Sequence, residues 1–183
     1  PTTVAETALG NPYLGVGLSS TRVPLFAEVG LRLPLAPDRN PATAVGGAAD
    51  LDHDEAFAPH LFSAQFLLNT RWELSRATSV RFRGGPLLAV PTEKEAGTTE
   101  LFARYSAQGW YEGDRYVLGF GLTGRALVTE GGALGDRTVH QFGGTLIFNL
   151  PHVQPGLLVR APLNGPDSDA VNLVVGVTLS VSL

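Results

Sequence analysis

The thirteen residues VNLVVGVTLSVSL at 171–183 alternate with a period of two. Leu173, Val175, Val177, Leu179, Val181 and Leu183 fall on one side of an extended chain, and Asn172, Val174, Gly176, Thr178, Ser180 and Ser182 on the other. From Val23 to Leu35 the same rhythm sets Val23, Leu25, Ala27, Val29, Leu31, Leu33 and Leu35 against Phe26, Glu28, Gly30 and Arg32. Seven further segments follow it, at about 12–19, 61–74, 78–90, 99–111, 115–129, 138–150 and 154–163. A helical spacing of apolar residues is never sustained, so the chain reads as all-β with nine strands.

The two faces differ in kind. Asp, Glu, Lys and Arg are missing from the apolar faces of the nine segments. The opposite faces hold Glu28, Arg32, Arg71, Glu73, Arg81, Arg83, Glu100, Arg104, Arg115, Arg125 and Arg160. Only 16% of the chain is charged while 44% is hydrophobic, against roughly 25% charged in soluble domains. That is little charge with which to cover a water-exposed surface. No apolar run reaches the ~18 residues of a membrane-spanning helix, and without cysteine there is neither a disulfide nor a thiolate metal site. A net charge of −4 gives no footprint for nucleic acid.

The connections separate a closed meander from a soluble sandwich. Short links at 20–22, 75–77, 112–114 and 151–153 alternate strictly with longer ones at 36–60, 91–98, 130–137 and 164–170. An up-and-down meander with a turn side and a loop side produces this rhythm. A Greek-key sandwich, whose connections leave the neighbouring strand, does not.

In these features the chain resembles Gram-negative outer-membrane β-barrel proteins. Its last strand matches their C-terminal signal in part, with Gly176, Leu179, Val181 and a terminal Leu183 in place of the usual aromatic residue. The stretch ALGNPYLGVGL is similar, more loosely, to porin-like transporters for aromatic or hydrophobic compounds. The resemblance implies an antiparallel, up-and-down transmembrane β-barrel in the bacterial outer membrane, formed as one domain over residues 1–183. Its apolar faces would meet lipid and lipopolysaccharide, and its arginine-rich faces would line a lumen. Trp72, Tyr111, Tyr116 and Phe148 all fall beside short links, where a belt of interfacial aromatics is expected.

Such barrels have an even number of strands, so nine implies ten to twelve in the complete protein. Either Thr2–Leu9 supplies a short tenth strand, or N-terminal strands precede a chain that opens at Pro1 without a leader; the second is favoured, and another subunit could also supply strands.

The charges carry the functional expectation. A channel or transporter for small polar or anionic solutes would use the arginines as a selective constriction. The alternative is a non-transporting barrel, its lumen filled by ion pairs, that contacts other envelope proteins or subunits through acidic outside loops. Centring the turn on Glu112–Gly113 sets Glu100 opposite Arg125, and the link at Ser75–Ala77 sets Arg71 near Arg81 with Glu73 diagonal. Asp50, Asp52 and Asp54 alternate as weak candidates for a hard divalent cation, although an acidic solvated outside loop is the favoured reading. The histidines assemble no catalytic unit, and GFGLTG at 119–124 lacks the helix of a dinucleotide site. An enzyme and a cofactor are therefore not expected.

Overall fold

A computed structural model describes residues 9–20, 22–38, 53–93, 97–165 and 171–181. The described chain forms one antiparallel sheet of nine strands: β1 (Tyr13–Ser19), β2 (Leu25–Arg32), β3 (Leu61–Glu73), β4 (Thr78–Pro91), β5 (Glu100–Glu112), β6 (Tyr116–Leu127), β7 (Thr138–Phe148), β8 (Val153–Pro162) and β9 (Val174–Val181). Each strand pairs with its neighbour in sequence, so the order in the sheet is the order in the chain. The only other regular elements among the described residues are single 3-10 turns at Asp54–Ala56 and Leu134–Arg137. Strand edges agree with the periodicity to within a few residues. β1 and β9 are the two edges of the sheet, which is not closed among the described residues. Of a tenth strand at Thr2–Leu9, residues 2–8 lie outside the described residues, and Leu9 is not in a strand.

Serine chemistry makes two of the tight links. Ser20 Oγ accepts the backbone N–H groups of Arg22 and Val23, and Ser75 Oγ accepts those of Ala77 and Thr78. Each hydroxyl takes the place of a backbone acceptor and holds the reversal.

Residues paired across the ladder share a face. The register therefore divides every strand between two surfaces. One surface carries no Asp, Glu, Lys or Arg in any strand, and its large apolar side chains are exposed from Leu14 and Val16 in β1 to Val177, at 81%, in β9. The other carries Glu28, Arg32, Arg71, Glu73, Arg81, Arg83, Glu100, Arg104, Glu112, Arg125 and Arg160.

The polar face is the better buried. Leu67 is 1% exposed, Leu87 2% and Arg104 5%, although no second sheet or long helix covers them among the described residues. A single layer buries one face in this way by curling around it, with the turn at Asp54–Ala56 packed against it at one end. The curl is tight between β3 and β4, where a Cβ on Gly85 would stand 1.9 Å from the Phe66 carbonyl oxygen. Only glycine admits that approach. At the β1 edge, the Tyr13 ring lies over Gly30, where a Cβ would meet the phenol oxygen at 2.0 Å.

Two expectations are corrected. Arg115 lies in the exposed link before β6 and is not on the polar face of a strand. The β5–β6 reversal is centred two residues later than expected, with Gly113 N–H bonded to Tyr116 O at 3.0 Å. Arg104, not Glu100, therefore stands opposite Arg125. Moving a reversal by two residues keeps every side chain on its face while changing its partner by four.

Candidate functional site

The charged residues of the inner, polar face gather at its two ends. At the loop end, residues 53–58, ahead of β3, turn back into the curl instead of standing in solvent. Asn11, just ahead of β1, holds them there. Its amide nitrogen donates to the carbonyls of Glu55 at 2.9 Å and Ala58 at 2.7 Å, its side-chain oxygen accepts Ala36 N–H at 2.7 Å, and its own N–H donates to Ala56 O at 2.7 Å. Asn11 is itself buried, and these bonds satisfy both ends of its amide.

The turn Asp54–Ala56 thereby delivers two carboxylates to the strand arginines. Glu55 is 3% exposed. Its Oε1 accepts Arg32 Nε from β2 and Arg104 Nη1 from β5, each at 3.2 Å. Its Oε2 is buried with no hydrogen-bond partner. Arg104 Nη1 also donates to Gln65 Oε1 at 2.8 Å, and Gln65 Nε2 donates to Tyr13 Oη at 3.0 Å and Glu28 Oε1 at 3.1 Å. Tyr13 O–H donates to the same Glu28 oxygen. Arg125, from β6, donates to Asp54 Oδ2 and lies over the Phe102 ring.

Burial pushes the Asp54 carboxyl up to about 6, with the neighbouring Glu55 charge adding to the rise and Arg125 opposing it. A cavity of about 200 Å³ opens beside the cluster, lined among others by Leu87, Glu100, Phe102 and Arg125.

At the turn end, the bases and the acid all come from strands. Arg81 Nη2 and Arg71 Nη2 donate to the two oxygens of Glu112, at 2.8 and 3.1 Å. Glu73 stands 3.7 Å from Arg71, and Arg81 lies 4.7 Å from the centre of the Trp110 ring. The pairing of Arg71 with Arg81 agrees with the expected register. These side chains are more than a third exposed. A cavity of about 450 Å³ beside them is lined by Asn69, Arg71, Arg81, Arg83, Ser106 and Gln108 among others. Between the two ends, a smaller space of about 130 Å³ reaches Trp110, Thr123, Gln141 and Arg160.

On the outer face, Trp72, Tyr111, Tyr116 and Phe148 are exposed and sit at the turn ends of their strands. Tyr116 pairs directly with Phe148, and the Tyr111 and Tyr116 rings are 5.5 Å apart. His140, the one titratable side chain besides tyrosine on the outer strand faces, is hydrogen-bonded to Tyr105 Oη at 2.7 Å.

The acidic stretch 50–55 is thus not wholly the solvated loop expected of it. Asp54 is an ion-pair partner of Arg125, and Asp50 and Asp52 lie outside the described residues. Glu55, Glu112, Asn11 and Gln65 were missed as site residues. The signal for Glu55 is arithmetic: the inner strand faces set seven arginines against four glutamates, so buried cations need carboxylates from outside the strands. His60 is a further surprise at the rim, between Asp38 at 2.5 Å and Glu93 at 3.2 Å.

No protein-family model, curated protein or solved structure matches the chain.

Proposed function

We propose that this chain is a transmembrane β-barrel of the Gram-negative outer membrane that passes small polar or anionic solutes along its arginine-bearing inner face. One observation carries the membrane reading: the outer face is apolar, exposed and free of Asp, Glu, Lys and Arg through nine consecutive strands. In water such a surface would drive association. In a bilayer it is the lipid-facing surface that a barrel requires. Backbone groups in hydrocarbon must all be paired, so the proposal includes closure of the β1 and β9 edges by further strands, to give ten to twelve in all. Trp72, Tyr111, Tyr116 and Phe148 then form the aromatic girdle at the turn-side interface, against lipid and lipopolysaccharide.

The transport reading is supported by Arg71, Arg81, Arg83 and Arg160 beside open space on the inner face. Rings of side-chain charge set selectivity in such a path. A second reading, a non-transporting barrel that contacts other envelope proteins or subunits, is favoured by the ion pairs that fill the loop end.

Planar bilayers separate the two. Anion-selective currents that lose selectivity in Arg81→Ala and Arg83→Ala support transport. A correctly folded, silent protein rejects it in favour of the second reading. Monodisperse protein extracted without detergent would reject the membrane reading itself.

A further inference from the structure

We infer that Arg32 and Arg104 form a receptor for the carboxylate of a solute, and that Glu55 occupies it in the resting state as a built-in competitor. The inference deepens the transport reading and rests on it for the solute's arrival.

The site is constructed rather than incidental. Two guanidiniums from strands three apart in the sheet converge on one carboxylate oxygen, each at 3.2 Å. Arg104 is aimed by Gln65, which is in turn fixed by Tyr13 and Glu28. Arg32 is fixed by the Asn11 carbonyl at 3.3 Å and lies 5.1 Å from the Tyr13 ring centre. The Arg104 and Glu55 side chains are both more than nine-tenths buried. The strands thus hold the two cations ready, and the carboxylate alone is brought from a loop.

Glu55 fits this receptor poorly. Both arginines use Oε1, and Oε2 is buried without a donor. A guanidinium fork pairs best with both oxygens of a carboxylate, and with the Glu55 backbone held by Asn11 its side chain offers the two arginines one oxygen only. A free carboxylate has no such tether. It can approach along the fork and satisfy both of its oxygens while Glu55 swings toward the adjoining cavity, which it already lines.

Charge favours the same class of ligand. Asp54 stays paired with Arg125 and Gln65 holds Glu28, so with Glu55 turned away the two groups that lose their shared carboxylate are the Arg32 and Arg104 guanidiniums. The vacated position, between two guanidiniums, calls for an anion. The planar geometry of two arginines selects a carboxylate over a spherical halide.

The test uses the purified full chain folded in detergent micelles, with [13C]acetate as the probe and chloride at equal ionic strength as the control. Binding is read from the acetate line width. Glu55→Gln removes the competing charge, and its acetate affinity is expected to rise about tenfold over the parent. Adding Arg104→Gln to that variant should abolish the gain. Glu55→Asp keeps the charge but shortens the reach by one methylene, and should give an intermediate rise if Glu55→Gln does not fold. Equal affinity in the parent and a folded Glu55 variant overturns the proposal, as does a gain that survives Arg104→Gln or is matched by chloride. A protein that binds acetate in this pattern yet is silent in bilayers would refute transport and leave the receptor standing. One that conducts but shows no Glu55-dependent binding would refute the receptor alone.

Discussion

The two ends of the inner face solve one problem by different means. At the turn end, Glu112 reaches Arg71 and Arg81 from the same sheet, and the partners stay more than a third exposed. At the loop end the carboxylates come from a loop, and Glu55 and Arg104 are almost wholly buried. Exposed pairs give little net stability because water screens the attraction and holding long side chains costs entropy. Buried pairs are costly to form and costlier to break, because a lone partner is left without solvent. The loop end should therefore respond strongly to single substitutions, and the turn end weakly.

Arg104→Ala tests the contrast at its sharpest. It leaves the buried Glu55 carboxylate with only Arg32 among its described partners and removes the donor to Gln65 Oε1. A loss of roughly 3–5 kcal/mol is expected for a broken buried pair, measured as the urea midpoint of the protein folded in detergent. Asn11→Ala should follow at about 3 kcal/mol, the sum of three side-chain hydrogen bonds worth about 1 kcal/mol each. The Asn11 side chain bonds backbone groups and none of the ion-paired carboxylates. Should the substitution also weaken the Arg104–Glu55 coupling in a double-mutant cycle, the loop is held by Asn11 and not by its charges.

The same contrast explains what could be read in the sequence. Alternation assigned nearly every strand side chain to its face, because a face depends only on parity along the strand. Partners depend on where the chain reverses, and the displaced β5–β6 reversal put Arg104 rather than Glu100 across from Arg125. It also brought Glu112, read as part of the turn, onto the inner face as the last residue of β5. The segment carrying Asp54 and Glu55 has no period to read. Its position is set by Asn11, over forty residues earlier in the chain, a contact without any local signature. At the turn end the Arg71–Arg81 pair, set by one hairpin, was legible while Glu112, two strands from Arg71, was not; at the loop end the Asn11 and Glu55 contacts were not legible at all.

Asp54 gives the loop end a pH dependence. Its carboxyl is raised from 3.8 to about 6, mainly by burial, so between those values the folded protein binds a proton that the unfolded chain does not. Stability should rise as pH falls through about 6 and level off near 4. A quarter of the side chain remains accessible, which limits the amplitude to on the order of 2 kcal/mol. Urea midpoints between pH 4 and 7.5 check the sign, and Asp54→Asn should flatten the curve. A curve that stays sloped in Asp54→Asn assigns the titration to another group.

Glu112→Gln should have the smallest effect, below about 1 kcal/mol. The amide keeps an acceptor for Arg81 Nη2, now at 2.8 Å, and both arginines are accessible enough to recover hydration. Conductance is the more sensitive readout, because removing this charge leaves Arg71 and Arg81 less neutralised beside the 450 Å³ cavity. Anion selectivity should therefore rise while the urea midpoint barely moves. A loss of stability as large as that of Arg104→Ala would erase the distinction between the two ends: the turn end would then be as dry as the loop end, and its cavity would be closed to solutes.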